Sequence, residues 1–252
     1  AVGPATLGNP NLGWEKNTEF DIGTDISLFS GRIQIVFDYY YNVTNDLLLS
    51  EALPLTTGFG SVLGNLGEVT NEGAEFTLTT VNLDKAIKWT TQFNISQNSN
   101  IVRKLATDEP QFSGYSTFTN STHIIAPGKS LGTFWGLEFL GVDPGTGNAI
   151  YFDKNNDGQL TAADGTFIGN AQPDFFGGFT NTINYRGFDL NVFFQFSYGN
   201  QMINFGKTTL VNSGEDIQNN QSREALKRWK KEGDITSVPK YEFGNTFNNR
   251  FS

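Results

Sequence analysis

Along EFDIGTDISLF, the residues Phe20, Ile22, Thr24, Ile26 and Leu28 alternate with Glu19, Asp21, Gly23, Asp25 and Ser27. A period of two predicts a strand with one apolar and one polar face. After the turn SGR the alternation resumes, with Ile33, Ile35, Phe37, Tyr39, Tyr41 and Val43 on one side and Gln34, Asp38 and Asn42 on the other. The two runs read as a hairpin. A second pair places Ala74, Phe76 and Leu78 before the turn NLDKA, and Ile87, Trp89, Thr91, Phe93 and Ile95 after it. A third sends Phe175, Gly177, Phe179, Ile183 and Tyr185 one way, turns at YRG, and returns with Phe188, Leu190, Val192, Phe194, Phe196 and Tyr198. Asn181, Asn184, Asn191, Gln195 and Ser197 are assigned to the other side or to the turn.

Alternation alone fits both a soluble sandwich, which keeps its apolar face inside, and a membrane barrel, which turns that face to lipid. Runs of about ten to twelve residues match the tilted span of a bilayer and exceed the usual strand of about five or six. The polar faces are mostly Thr, Asn, Gln, Ser and Gly, which suits a wet lumen. Links near Gly31, Asp84 and Gly187 are short, whereas those after Val43, Ser96 and Asn200 are expected to run to about thirty residues or more, the asymmetry of barrels with long external loops. On this reading the segments from Thr44 to Glu72, from Gln97 to Asp174 and after Gln201 lie on one side. Tyr39, Tyr40, Tyr41, Trp14 and Trp89 are candidates for interfacial girdles.

Composition narrows the classes. Among 252 residues, 37% are hydrophobic, 14% aromatic and 17% charged, with 28 Gly, a profile of β structure rich in turns. There is no Cys, which removes disulfides, thiolate zinc sites and thiol catalysis. A net charge of -9 argues against a nucleic-acid partner, since phosphate binding runs on clustered Lys and Arg. No stretch supplies the roughly 18 apolar residues of a membrane helix. The first residues, AVGPATLGNPNLGWEK, lack a basic start followed by an apolar run, so no signal peptide is read there.

Candidate chemistry concentrates in FDKNNDGQLTAADG. Asp153, Asn155 and Asp157 stand at positions 1, 3 and 5 of a twelve-residue loop, Gly158 at 6, the carbonyl of Gln159 at 7, and Asp164 at 12. Hard oxygens in this spacing around a Gly turn are what a calcium ion needs, while an Asx-rich turn is the simpler alternative. The flanks NAIYF and TFIG are strand-like, so the ion would be a structural staple for a loop between strands. His123 is the single histidine and reads as a solvent-facing loop residue, with nothing beside it to build zinc or triad chemistry. SREALKRWKKEGD predicts a short helix with Ser222 as N-cap, Leu226 and Trp229 on one side, and Gly233 as its stop. Its basic run is a solvated face or a docking surface. Nothing points to catalysis.

Several segments in chain order resemble one family. NPNLGWEKNTEFDIG followed by GRIQIVFDYYYNVTNDLL is similar to the NP-x-L-x-WE and DYY-x3-T-x-DLL hairpin of the SusC/RagA family of TonB-linked outer-membrane transporters. NLGEVTNEGAEFTL matches that family's N-x-G-x3-N-x-G-x-E segment, and DKNNDGQLTAADGTFIGNAQPDFFGGF, YRGFDLNVFFQFSYGNQMIN and LKRWKKEGDITSVP follow. The resemblance implies an all-β, antiparallel piece of a large outer-membrane transmembrane β-barrel, in which residues 1–252 form part of one barrel domain of about 22 strands. It further implies a plug and N-terminal domains outside this chain, and a barrel continuing past Phe251. The expected function is import of oligosaccharides, glycans or peptides, with a SusD-like lipoprotein as lid, TonB as the source of energy, and outer-membrane lipid around the barrel. From the residues alone, the alternative is a soluble secreted β-sandwich, stabilised by calcium, that binds glycans.

Overall fold

A computed structural model describes residues 7–53, 55–105, 109–113, 122–215 and 218–244. Twelve strands and one short helix are found among them: β1 (Lys16–Leu28), β2 (Ile33–Ala52), β3 (Ser61–Asp84), β4 (Ile87–Lys104), β5 (Gln111–Ser113), β6 (His123–Ile125), β7 (Thr133–Gly136), β8 (Phe139–Val142), β9 (Ala149–Tyr151), β10 (Thr166–Asn170), β11 (Phe175–Tyr185), β12 (Phe188–Tyr198) and α1 (Phe205–Leu210). The chain divides into two compact units. The first comprises residues 1–111, 125–132 and 172–200, and the second comprises 112–124, 133–171 and 201–252.

The first unit is one antiparallel sheet in the order β1-β2-β3-β4-β11-β12. Its register lines residues up in rows. Ile26, Ile35, Leu78, Phe93, Phe179 and Phe194 pair across all six strands, and Thr24, Phe37, Phe76, Ile95, Gly177 and Phe196 form the next row. The intervening rows, such as Asp25, Val36, Thr77, Asn94, Gly178 and Gln195, face the other way and are mainly polar. The apolar face stays uncovered: Phe20 is 59% exposed and Phe194 61% exposed. A sheet that leaves large apolar rows open is built for an apolar surround.

Short links cluster at one end of the sheet. Between β11 and β12 only Arg186 (φ 47) and Gly187 (φ 86) intervene, the two successive positive φ values that let a hairpin keep its right-handed twist. Residues 85 and 86 join β3 to β4. At the opposite end the strands run on where loops were expected. β2 reaches Ala52 and β3 begins at Ser61, so the thirty-residue loop from Thr44 to Glu72 is instead the upper part of a long hairpin. β4 likewise continues past Ser96 to Lys104. The sequence hid this because the alternation breaks at bulges: the register shifts between Asn45 and Leu48, where Asp46 adopts φ 59 and pairs with Lys16 at 2.8 Å. At 24 residues and roughly 3.3 Å per residue, β3 is about twice as long as a bilayer requires.

The family-like motifs fasten this hairpin. Asn9 donates to the Leu63 carbonyl at 3.0 Å, the Gly13 amide donates to Asn65 Oδ1 at 2.7 Å, and Asn65 Nδ2 donates to the carbonyls of Gly13 and Asp46. Glu15 Oε1 accepts from the Leu48 amide at 2.9 Å. The segment before β1 is thereby stitched to the hairpin of the next two strands.

One face assignment is corrected. Asn181 lies in the apolar rows, paired with Val192 and Thr91. Its Oδ1 accepts from Trp89 Nε1 at 2.9 Å and from Thr91 Oγ1 at 2.8 Å, while Thr91 Oγ1 also accepts from Asn82. A polar group in an apolar row is tolerable when its acceptor is satisfied, and the amide lies close to the short-turn end of the strands.

The second unit holds a four-stranded sheet, β10-β7-β6-β5, and the β8–β9 pair. Val211, Ala225 and Val238 form its small buried apolar cluster. The predicted helix after Ser222 is corrected to a 3-10 turn, Arg223–Lys227; Ser222 does cap it, but Arg228 is already extended (φ -55, ψ 151). The chain turns out because Trp229 is needed elsewhere. Its indole lies over Gly147, and its Nε1 donates to the Pro144 carbonyl at 2.9 Å.

Gly73 shows how tightly the polar face is fitted. A Cβ there would sit 2.6 Å from Tyr40 Cζ and closer still to the Gln97 carbonyl. Gly73→Ala in the full-length protein is expected to cost about 1–3 kcal/mol, read as a lower unfolding temperature of the heat-modifiable band on gels. Gly60→Ala, where a Cβ meets nothing within 4 Å, should leave that temperature unchanged.

Candidate functional site

Two places carry candidate chemistry. The first is the loop from Asp153 to Asp164, held between β9 and β10. Gly158 takes φ 75 and Asn156 φ 55, and these left-handed positions fold the segment back on itself. The Gly158 amide donates to Asp153 Oδ2 at 2.9 Å, the Asp157 amide to Asn155 Oδ1 at 3.1 Å, and the Gln159 amide to Asp157 Oδ1 at 2.7 Å. Asn155 Nδ2 donates to Asp157 Oδ2 at 2.9 Å. Asp153 Oδ1 is buried with no hydrogen-bond partner.

Asp164 is fully buried and acts as the clasp. Its Oδ2 accepts from the Thr161 amide at 2.7 Å, and its Oδ1 accepts from the Lys154 amide at 3.2 Å, so one carboxylate ties the start of the loop to its end. Thr161 Oγ1 accepts in turn from the Ala163 amide, completing a capping box on the 3-10 turn Ala162–Asp164. The next residue, Gly165, lies flush beneath the Trp135 indole, where a Cβ would come within 2.5 Å of Nε1. Among the described residues, no three Asp, Glu or His side chains are gathered as a group that could hold a metal ion. The geometry therefore brings Asp153, Asn155 and Asp157 around one turn and commits Asp164 to backbone amides.

The second place was not anticipated. On the polar face of the large sheet, a hollow is lined by Asn17 and Glu19 of β1, Tyr40, Asn42 and Thr44 of β2, Asn71 of β3 and Asn98 of β4, with Gln172, Pro173 and Phe176 beside them. The wall fixes its own amides. Tyr40 donates to Asn98 Oδ1 at 2.8 Å, Asn100 Nδ2 to Asn71 Oδ1 at 2.7 Å, and Thr44 Oγ1 lies 3.2 Å from Asn17 Oδ1 and 3.4 Å from Asn42 Oδ1. The Leu131 amide holds Asn100 in place at 2.9 Å. The alternation did show Asn42 on the polar side; what it could not show was the register that sets Asn42 opposite both Glu19 and Asn71.

His123 is corrected from a solvent-facing loop position to a half-buried strand residue in β6. Its Nδ1 shares a hydrogen bond with Thr122 Oγ1 at 2.9 Å and its ring meets Phe134 edge-on at 5.2 Å, a packing role.

The family model described as TonB dependent receptor-like, beta-barrel matches residues 1–197. TonB-dependent receptors P3 and P26 of Formosa agariphila are 33% identical over 253 residues and 34% over 262, each alignment covering 93% of this chain and 25% and 26% of the relative. TonB-dependent receptor SusC of Bacteroides thetaiotaomicron is 27% identical over 202 residues, covering 76% of this chain and 20% of the relative. Among solved structures, that of the RagAB peptide transporter superposes with a TM-score of 0.85 at 26% identity, over 98% of this chain and 28% of that one. The chain thus spans about a quarter of the length of the curated relatives P3 and P26.

The Asp164 clasp has a pH signature. Hydrogen bonds from the Thr161 amide above all, and from those of Lys154 and Asn155, hold its carboxyl below its ordinary value of 3.8 against the opposing effect of burial. A folded-state pKa below the unfolded one means that stabilisation is complete above the ordinary value and is lost as pH falls through the lowered one. Protection factors at the Thr161 and Lys154 amides, from hydrogen exchange corrected for intrinsic rates, should hold from neutral pH to about 4 and collapse below it. Asp164→Asn should weaken them at neutral pH.

Proposed function

The chain belongs to the TonB-dependent receptor-like β-barrel family, and from that premise we propose that it forms part of the wall of an outer-membrane importer for oligosaccharides, other glycans or peptides. Membership in a family of outer-membrane barrels removes the soluble calcium-stabilised sandwich, and its relatives are receptors and transporters, not enzymes. The observation that carries the reading is the two-faced sheet: uncovered apolar rows suited to lipid, and a polar face with an amide-lined hollow suited to a wet path. The end carrying the long β2–β3 hairpin is the external one, because barrels of this kind keep short turns on the periplasmic side. A SusD-like lipoprotein would close that end, and TonB would act through a plug supplied by the rest of the receptor.

The loop from Asp153 to Asp164 is proposed to bind calcium as a structural staple. Three features support it: the ligand spacing, the Gly158 amide bound to the first carboxylate as in a calcium loop, and the unpartnered buried Asp153 Oδ1. Asp153, Asn155, Asp157, the Gln159 carbonyl and Asp164 are the donors. Asp157 and Asn155 are exposed and satisfy each other and neighbouring amides, so turning them inward breaks only weak local bonds, whereas Asp164 would have to share its carboxylate with the clasp.

Two experiments test these readings. Phe194→Arg or Ile35→Arg in the full-length receptor should cost about 2–4 kcal/mol near mid-membrane and deplete folded barrel from the outer-membrane fraction, while Gln195→Arg leaves its amount near wild type. Equal loss at both parities refutes the assignment of faces. For the loop, calcium should raise the protection of its amides in the wild type, and Asp157→Ala should raise the calcium concentration needed by about tenfold or more. A wild-type loop indifferent to calcium ends the staple.

A further inference from the structure

One row of the apolar face is polar at its centre. Leu28, Ile33, Thr80, Thr91, Asn181 and Val192 pair across the six strands, and the bulged residue Asn82 joins the middle of the row. The protons of this network can be assigned one by one. An indole N–H can only donate, so the bond from Trp89 Nε1 at 2.9 Å fixes which end of the Asn181 amide is oxygen. The Thr91 hydroxyl gives its one proton to the same oxygen at 2.8 Å and accepts from Asn82 Nδ2 at 2.6 Å, while Asn82 Oδ1 takes the Thr80 proton at 3.0 Å. Both lone pairs of Asn181 Oδ1 are thereby filled. The two N–H bonds of Asn181 Nδ2 have no partner among the described residues. Lone pairs remain on Thr80, Thr91 and Asn82, but an acceptor left half-filled is common, whereas an N–H left facing hydrocarbon is costly. The network therefore ends on donors that call for an acceptor from outside the sheet.

The surroundings say which acceptor fits. The next rows toward the short turns are Trp89, Ile183 and Leu190, then Ile87, Tyr185 and Phe188, and all of these but Ile183 are exposed. Cations border them. Arg186 lies 5.3 Å over the Tyr185 ring, and Arg32 is held to the Val81 and Asn82 carbonyls. The acids of this end are on the other face: Asp84 and Asp189 fall in the row of Lys88 and Asn184, which alternates to the polar side. From Asn181 to Tyr185 the strand rises about 13 Å at roughly 3.3 Å per residue, or about 10 Å along the membrane normal at a tilt of about 40°. With Arg186 among the headgroup phosphates, that sets the Asn181 amide near the base of the interfacial layer. A glycerophospholipid brings an acceptor at each depth. Its acyl ester carbonyls suit a neutral amide, and its phosphate suits a guanidinium.

We propose that this patch binds a glycerophospholipid of the periplasmic leaflet: Asn181 Nδ2 donates to an acyl ester carbonyl, Arg186 pairs with the phosphate, and the chain lies along Trp89, Ile87 and Leu190. The proposal rests on the reading of the apolar rows as the lipid-facing wall of an importer and adds to it one recognised lipid.

The test uses the full-length receptor, delipidated in mild detergent, and follows lipid retention by native mass spectrometry. Two lipids are added in turn: dioleoyl phosphatidylglycerol, and its diether analogue, which keeps the phosphate and the chains but has no ester carbonyl. The expected result is a first lipid held about fivefold more tightly as the diester than as the diether. Asn181→Leu, which is apolar and suits a lipid-facing row, should abolish that preference. Trp89→Phe, which frees the amide to turn over, should reduce it, and Arg186→Gln should weaken both lipids alike. Equal retention of diester and diether by the wild type overturns the site and leaves the amide to water, and this comparison needs no variant to fold. An unchanged preference in Asn181→Leu overturns it as well. Either result, obtained with the wild-type heat-modifiable band in the outer-membrane fraction, leaves the importer reading intact; absence of that band from the fraction is what would overturn the importer.

Discussion

Everything in the large sheet depends on the antiparallel ladder and its register. A backbone in hydrocarbon has no water to satisfy its N–H and C=O groups, so each must find a partner on a neighbouring strand. Once that ladder is fixed, the period of two decides every side chain's surroundings, and a slip of one residue would turn the row from Ile26 to Phe194 toward water and the carboxylates of Asp25 and Asp38 toward lipid. The devices that set the register are local. Arg186 and Gly187 with positive φ fix the β11–β12 pair, Asp46 takes up the bulge in β2, and Asn65 pins the chain before β1 to the next hairpin.

Within a fixed register, aromatic rings resting on glycines fit the strands together. Tyr40 covers Gly73 and Phe193 covers Gly178 on the polar face, and Phe196 covers Gly177 on the apolar one. A glycine in a strand interior is normally a weakness, since it brings no side chain to pack. Here the missing Cβ is the space into which a cross-strand ring folds. Tyr40 joins this structural device to the candidate site: the ring that fills the space over Gly73 carries the hydroxyl that orients Asn98. Packing of the wall and preorganisation of the hollow are therefore one arrangement.

The sequence made the three hairpins and the two faces legible, because Phe, Ile and Leu at alternate positions from Phe20 to Leu28 and from Phe188 to Phe196 leave no other period. It misplaced the ends of β2, β3 and β4 because LLLSEA and SVLGNLGEV lose alternation at bulges, where the backbone rather than the side-chain pattern carries the pairing. Asn181 was misassigned on polarity, since its compensation by Trp89 and Thr91 comes from another strand. The hollow was invisible for the same reason: Asn17, Asn42, Asn71 and Asn98 sit on four strands, and only the register sets them together. The twelve-residue loop was legible as spacing. The commitment of Asp164 to the Thr161 and Lys154 amides was not, although T-x-x-D is itself a capping-box pattern.

The two units solve the burial problem differently. The sheet keeps its apolar rows uncovered and relies on lipid, so its polar side chains are free to form a working surface. Among its described residues the second unit buries apolar side chains sparsely: Ile124, Phe134, Leu137 and Val142, and the small cluster of Val211, Ala225 and Val238. It holds its loops by directed bonds instead. Trp229 reaches the Pro144 carbonyl, the Lys240 amide reaches the Gly147 carbonyl, and Asp164 bridges both ends of its own loop. Side-chain clasps of this kind fix a loop's shape without a large core. A divalent ion at Asp153 would extend the same principle, adding one more directed link where hydrophobic burial has little to offer.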